Sequence, residues 1–340
     1  MEKYQVTANE PEEAKVRRLA EIVVETLLAT RAGEKVLIVT DASGTAENGD
    51  IVAEIAALSR DAGAETLLVE MNDNPRKGAE YLPEAVQNMM PGQDIIISLT
   101  RTTSAPLPHH KVPIGLVRSG KVRGVFMVKR SRADLFHDSV LEADYAAMSK
   151  VANYWQDAFG AGAKVRVTTP AGTDFTASIE GQPSHRSNFA HEPGRMAPVN
   201  WGEVYQGPVV GTTNGRVVVD GPVLGFDWPK EPLVIDIRDG LATSVTGDED
   251  VSASLWKLIT ENRNGANIAE IALGINEKAN DPSCNTYKKG LGRLHIAVGN
   301  GLVYNQDVDS DIHIDLVMHR PTVEIDGQTI VRDGVSTQGG

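Results

Sequence analysis

Leu19, Ile22, Val23, Leu27 and Leu28 recur at three- and four-residue intervals, the spacing of one helix face, and predict a helix over residues 11 to 31. Ala32-Gly33 closes it. The pattern then changes, because Lys35 to Thr40 (KVLIVT) is an unbroken, largely β-branched run of strand character. A helical pattern follows from about Ala46 to Ala62, then strand at Ala64 to Glu70, helix at Leu82 to Met90, and strands at Asp94 to Leu99 and Val122 to Val128. Strands that are apolar on both faces and separated by helices belong to a parallel sheet covered on both sides.

Helical sequence rich in Asp, Ala and Met runs from about Ala133 to Phe159 and stops at the Gly160 to Gly162 cluster. Beyond it the chain reads as short alternating strands. Lys164 to Thr169 and Asp174 to Ile179 flank Pro170-Ala171-Gly172-Thr173, while Asn214-Gly215 and Asp326-Gly327 are hairpin signals. The expected fold class is therefore α/β: a doubly wound, mostly parallel sheet in residues 1–160, followed by a mainly β (α+β) metal-binding domain in 161–340. A doubly wound sheet raises nucleotide binding, but Asp41-Ala42-Ser43-Gly44-Thr45 after the first strand is neither G-x-G-x-x-G nor a Walker loop. Phe159-Gly160-Ala161-Gly162 follows a helix and opens a strand, the wrong context for a dinucleotide fingerprint.

Charge narrows the partners. Lys+Arg 33 against Asp+Glu 46 gives a net charge of -13, which argues against nucleic acid or an anionic membrane and for a small-molecule or short-peptide substrate. The start MEKYQVTANEPEEAKVRR lacks the order of a signal peptide, and no apolar run approaches the ~18 residues of a membrane span. The expected compartment is the cytoplasm. Cys284, the single cysteine, lies in turn-like sequence with no partner base and reads as a spectator thiol.

Chemistry concentrates near the end of the chain. His295 lies in the apolar run Leu294 to Val298, and His313 and Asp315 alternate with Ile312, Ile314 and Leu316, which puts the imidazole and the carboxylate on one strand face. Glu203 and Glu270 sit among apolar or small neighbours, where an isolated carboxylate costs several kcal/mol unless it is paired or metal-bound. Three carboxylates and two imidazoles suit first-row divalent cations, and carboxylates that bridge would serve two ions about 3.5–4 Å apart. Such ions polarise a carbonyl and activate water, which is hydrolytic chemistry.

At Gly202-Glu203-Val204-Tyr205 through Pro208, Ala269 to Gly274, His295 to Gly299, His313 to Leu316 and Asp326-Gly327 the chain resembles the M29 metallopeptidases of the aminopeptidase T type. The resemblance implies a metal-dependent hydrolase of amide or peptide-like bonds. Glu203, Glu270, His295, His313 and Asp315 would hold Zn, Co or Mn, Glu203 and Tyr304 would carry catalytic roles, and the assembly would be a homo-oligomer, a dimer or larger. His191-Glu192-Pro193-Gly194-Arg195 also resembles a segment of the 2,5-dihydroxypyridine 5,6-dioxygenases, which share the fold and use one Fe(II). In that alternative His295, His313 and Asp315 form a facial triad. The retained Glu203 and Glu270 favour hydrolysis over ring cleavage, and a non-catalytic binding protein on the same scaffold is a further alternative. Arg293, in the turn Lys288-Lys289-Gly290-Leu291-Gly292-Arg293, and Arg195 are expected to recognise substrate; Glu192 and Arg195 are an expected ion pair, and His109-His110 an exposed loop pair.

Overall fold

The computed structural model describes residues 10–73, 82–101, 111–128, 130–187, 189–199, 202–226 and 228–337. The chain divides into two compact units, Met1–Tyr145 with Ser187–Trp201, and Ala146–Arg186 with Gly202–Gly340. A single boundary at 160/161 gives way to an interleaved division. Residues of the helix Tyr145–Ala161 from Ala146 onward belong with the second unit, and a short strand, Met196–Pro198, returns to the first.

In the first unit β1 (Lys35–Asp41), β2 (Glu65–Met71), β3 (Ile95–Thr100) and β4 (Arg123–Val128) form a parallel sheet in the order β2-β1-β3-β4, with Met196–Pro198 parallel beside β4. The expected parallel sheet is present, and every residue of β3 is buried, as a central strand with helices on its faces requires. The helix α1 (Glu12–Glu21) runs into a π-helical segment, Ile22–Leu27, and α2 (Ala42–Asp61) leads from β1 to β2. Asp41 caps α2: its Oδ1 accepts the N–H of Gly44 at 2.8 Å and of Arg101 at 2.9 Å, while Ser43 donates its N–H and hydroxyl to Asp73 at 2.9 and 2.6 Å. These donors at the start of α2 are held by the chain's own carboxylates, in keeping with the missing phosphate fingerprint. The long helix read from 133 to 159 is three pieces, Arg132–Leu135, Asp138–Leu141 and Tyr145–Ala161, because a capping box at Ser131 and a side-chain cap at His137 start new helices.

The second unit holds an eight-stranded and a five-stranded sheet. Lys164–Thr168 and Asp174–Ser178 pair as the expected hairpin, and Asp326-Gly327, both at positive φ, turns Thr322–Ile325 into Gln328–Arg332. Asn214-Gly215 behaves otherwise. It lies inside the strand Asn214–Val219, and the turn falls earlier, at Gly211 with φ +83°. Glycine is needed at 215 for closeness rather than for turning, since a Cβ there would stand 2.3 Å from the Asp174 carbonyl oxygen on the paired strand. The smaller sheet contains β5 (Glu203–Gln206), β6 (Ile268–Gly274), β7 (Leu294–Gly299) and β8 (His313–Met318) in the order β8-β7-β6-β5, all antiparallel, with a short strand at 185–187 beyond β5. Every residue of β6 and β7 is buried. No helix among the described residues is long and apolar enough to cross a membrane.

Candidate metal centre

Strand register puts the chemistry on one face. Gly274 pairs with Glu203, Ala272 with both Tyr205 and His295, Ala297 with both Glu270 and Asp315, and Gly299 with His313. Paired residues share a face, as do residues two apart, so Glu203, Glu270, His295, His313 and Asp315 all project from the same side of four adjacent strands. Between them on that face lie Ala272 and Ala297, each with a single methyl group, while Gly274 and Gly299 are closely approached by the carbonyls of Gly290 and Ile312.

The five side chains fall into two overlapping groups that share Glu270. One is Glu203, Glu270 and His295; the other is Glu270, His313 and Asp315. His295 Nε2 is 3.6 Å from Glu203 Oε2 and 3.7 Å from Glu270 Oε1, while His313 Nε2 is 3.2 Å from Glu270 Oε2 and 3.5 Å from Asp315 Oδ1. Ligands about 2.0–2.2 Å from a tetrahedral ion stand roughly 3.3–3.6 Å apart, so both groups have the dimensions of a cation site. Asp315 Oδ1 and both ring nitrogens of His295 are buried with no hydrogen-bond partner among the described residues. Leaving such atoms unpaired costs about 1–3 kcal/mol each, and a divalent cation would satisfy those that face the cluster, so the residues fit the metal that the motifs imply.

The two histidines are not equivalent. His313 Nδ1 lies 3.0 Å from the Asn300 carbonyl oxygen, an arrangement in which Nδ1–H donates outward and Nε2 is turned toward the carboxylates. His295 Nδ1 has no such acceptor among the described residues. Burial works against charge on His313, but Asp315 and Glu270 outweigh it and push the imidazole up to about 10. Burial likewise opposes ionisation of Glu270 and Asp315; the two histidines hold Glu270 below the usual carboxylate range, and Lys288, with the histidines, holds Asp315 well below it. The expected facial triad of His295, His313 and Asp315 is therefore split, with the two imidazoles in different groups joined through Glu270.

Two cations reach the cluster from the turn that precedes β7. Lys288 Nζ donates to Asp315 Oδ2 at 2.6 Å, and Lys289 Nζ contacts Glu203 Oε1; both lysines are largely buried. Asp315, Glu203 and Glu270 keep Lys288 firmly protonated against its burial, whereas burial draws Lys289 down against the pull of Glu203. Gly274 makes this placement possible. A Cβ there would lie 2.3 Å from the Gly290 carbonyl oxygen and 2.5 Å from the Lys289 carbonyl carbon, so only glycine lets the lysine turn close on the end of β6. Arg293, the expected substrate-recognising member of this turn, is held by the turn itself, and the two lysines are the members that reach the carboxylates. Arg293 donates to the carbonyls of Ala279 and Tyr287 at 2.6 and 2.8 Å and to Asn280 Oδ1 at 2.9 Å, and its guanidinium lies 3.5 Å from the centre of the Tyr287 ring. Arg293 thus braces the turn. A lysine doublet next to glycine reads as solvated, and its only sequence signal was its place directly before a buried histidine strand.

Tyr304 does reach the centre. Its Oη is 3.2 Å from His313 Nε2 and its ring stacks on the imidazole at 5.2 Å, with the Tyr205 ring edge-on at 5.7 Å. Burial, then the carboxylates Glu270, Asp315 and Glu203, raise its phenol well above the ordinary value, so it is a neutral donor. Gly207 admits it, since a Cβ at 207 would stand 2.3 Å from the Tyr304 carbonyl oxygen. Arg195 lies in the other unit and is exposed, and its expected partner Glu192 instead meets Arg31 at 3.5 Å. His191 Nε2 lies 2.8 Å from the Thr26 carbonyl oxygen, and its ring stacks on Phe189. His109-His110 lies outside the described residues. Burial, reinforced by Asp315, pushes the Cys284 thiol up to about 12, which keeps it an inert thiol.

A sequence model of the NicX family, 2,5-dihydroxypyridine 5,6-dioxygenase, matches residues 23–338. A search of curated proteins finds no match. Among solved structures, 2,5-dihydroxypyridine dioxygenase from Pseudomonas putida KT2440 superposes with a TM-score of 0.82 at 16% identity, covering 97% of this chain and 99% of that one. Wild-type AmpT from Thermus thermophilus does so with a TM-score of 0.70 at 15% identity, covering 96% and 100%. At these identities the likeness is one of fold, and it bears out the relationship to both families drawn from the motifs.

Proposed function

The chain belongs to the 2,5-dihydroxypyridine 5,6-dioxygenase family, and from that premise we propose that it opens the ring of a hydroxylated aromatic substrate with molecular oxygen, using a divalent cation held by Glu270, His313 and Asp315. The observation that carries this reading is the preparation of His313 and Asp315 as ligands. His313 has its Nδ1 directed to the Asn300 carbonyl, and Asp315 has Oδ2 fixed by Lys288 while Oδ1 has no hydrogen-bond partner among the described residues. One imidazole and two carboxylates would hold a first-row divalent ion such as iron(II) or manganese(II), and iron(II) would supply redox exchange with dioxygen. Both atoms of O2 end in the opened product, so the reaction needs no outside reductant.

The chain's own groups set the stage for that chemistry. Lys288 and Lys289 offset the carboxylates, which favours an anionic phenolate form of the substrate beside them. Tyr304 Oη, a neutral donor 3.2 Å from His313 Nε2, is placed to hold a proton at the substrate's edge. The single methyl groups of Ala272 and Ala297 keep the sheet face low between the ligands, which suits a flat ring.

Hydrolysis of an amide or peptide-like bond is the second reading, favoured by Glu270 turning Oε1 toward His295 and Oε2 toward His313, the posture of a carboxylate shared by two cations. AmpT, of the M29 aminopeptidases, has the same fold. The two lysines count against it: a cluster of three carboxylates already paired with two ammonium groups has little negative charge left for a second divalent ion. For that reason ring cleavage stands ahead of the hydrolysis expected from the retained glutamates alone. The decisive experiment loads the protein with Fe(II) or Mn(II) and measures oxygen uptake with a dihydroxypyridine beside cleavage of leucinamide. Oxygen uptake is expected; amide cleavage without oxygen uptake would overturn the proposal.

A further inference from the structure

We infer that Asp220, His319 and Tyr287 form a positioning relay for the centre: His319, oriented by Asp220, fixes the Tyr287 ring, and the turn that follows Tyr287 then delivers the Lys288 ammonium to Asp315. The inference rests on the reading of Asp315 as a metal ligand but not on the reaction that the metal serves.

The relay joins separate segments of the chain, none of which supplies it from within the metal cluster. Asp220 follows the strand Asn214–Val219, His319 follows β8, and Tyr287 closes the short helix Cys284–Tyr287. Asp220 Oδ1 accepts the His319 N–H at 2.9 Å and lies 3.2 Å from its Nδ1, while His319 Nε2 lies 2.9 Å from Tyr287 Oη. With the Nδ1 proton held by Asp220, Nε2 is left to accept the phenol O–H. Burial would raise the Asp220 carboxyl, but hydrogen bonds from His319 hold it below the usual range, so it stays an acceptor. Both nitrogens of a partly exposed histidine are thus engaged by other side chains of the protein.

Tyr287 is held by more than the relay. The Arg293 guanidinium lies 3.5 Å from the centre of its ring, and Trp228 meets the ring edge-on at 4.9 Å while donating its own Nε1–H to the Pro282 carbonyl at 2.8 Å. A ring fixed in this way fixes the backbone directly before Lys288, whose ammonium reaches Asp315 Oδ2 at 2.6 Å in a largely buried setting. Such an ion pair tolerates little misplacement, because a shifted ammonium stands buried and unpaired. The strand β8 completes the circuit, since Asp315 and His319 belong to one stretch of chain. The segment that Asp220 begins runs along it: Gly221 donates to the Val317 carbonyl at 3.0 Å, Val317 to that of Pro222 at 3.2 Å, and Leu224 to that of Asp315 at 2.9 Å. Ligand and counter-ion are therefore tied to the same histidine, one through the strand and the other through the tyrosine.

The test couples metal affinity to Lys288. The full chain is stripped with chelator and titrated with Mn(II), read by electron paramagnetic resonance, with urea denaturation run in parallel for stability. Outer-shell partners of a metal ligand carry about 10–100-fold in affinity, so a relay that acts on one of them is expected to carry a part of that, about threefold to tenfold. His319→Asn keeps a group for Asp220 but does not reach Tyr287, and Tyr287→Phe keeps the ring and loses only the hydroxyl. Each is expected to weaken Mn(II) binding by that amount and to alter the spectrum of the bound ion. In a Lys288→Met background the same substitutions are expected to change affinity no further, while whatever they cost in stability persists. Unchanged affinity in Tyr287→Phe, or an equally large loss with Lys288→Met present, would overturn the inference. The phenylalanine variant carries the test if His319→Asn does not fold. Mn(II) held normally by Asp315→Ala would sink the reading of Asp315 as a ligand and the relay with it, an outcome distinct from failure of the relay alone.

Discussion

His313 and Asp315 occupy alternate positions on an edge strand of their sheet, and each reaches the cluster through one atom while another group holds its far side. Substituting either by alanine removes a ligand, and Asp315→Ala in addition leaves the buried Lys288 ammonium unpaired at a cost in stability. His313→Ala and Asp315→Ala are therefore expected to lose bound metal and turnover, with the circular dichroism spectrum of the wild type retained. Normal metal content in either variant would refute the site. Tyr304→Phe tests the phenol separately: turnover should fall about 10²-fold with metal content unchanged, since only a proton donor is lost. All five residues of the cluster were legible in the sequence because each charged or polar group interrupted an apolar strand, where burial demands a partner. Lys288 and Lys289 were not, because a cation doublet beside glycine has the composition of a surface turn and only the close approach at Gly274 draws it inward.

At the level of elements, the same glycine ties the sheet to the turn. Gly274→Ala would set a methyl group 2.3 Å from the Gly290 carbonyl oxygen, so the lysine turn must shift and carry Lys288 away from Asp315. The expected outcome is a stability loss of about 1–3 kcal/mol together with weakened metal binding, measured by urea denaturation and metal titration. Gly327→Ala is the contrast: nothing lies within 4 Å of its Cβ, and the cost is the left-handed φ of +82° alone, about 1 kcal/mol with metal binding untouched. Asp326-Gly327 was readable as a turn and Asn214-Gly215 was not, although the dipeptides are alike. The difference lies in the partner strands, since Asn214 and Gly215 are paired into the sheet with Asp174–Ser178 and Leu233–Arg238, with Gly215 at a φ of +130°, and the turn falls elsewhere. The parallel strands β1 to β4 were legible to within a residue at each end, because their β-branched runs admit no other structure. The helix read across 133–159 was not, since caps at Ser131 and His137 act locally within a helical composition.

Across the whole molecule, the interleaved units decide what can be separated. Residues 1–160 alone leave β4 without Met196–Pro198 and carry most of a helix that belongs with the other unit, so that fragment is expected to remain unfolded by circular dichroism. The first unit also depends on a buried ion pair. Arg123, 2% exposed, forks onto Glu34 at 2.8 and 2.9 Å and onto the Leu28 carbonyl. Burial alone would raise the Glu34 carboxyl, but Arg123 and the Arg31 N–H hold it below the usual range. Its contribution is then complete above the unfolded-state value and is lost as pH falls through the lowered one. Glu34→Gln should cost about 3 kcal/mol at neutral pH and flatten the acid side of the melting curve; an unchanged acid limb would argue against the pair. The pair Ala272 and Ala297, between the ligands on the sheet face, bears on how related chains diverge. Ala297→Val crowds the space over the sheet for about 1–3 kcal/mol, a cost that a chain of this size survives, and should abolish turnover while every ligand stays in place. A descendant with valine there would match all five ligands position for position and still be inert, so its loss of activity would be written in a methyl count and not in the metal signature.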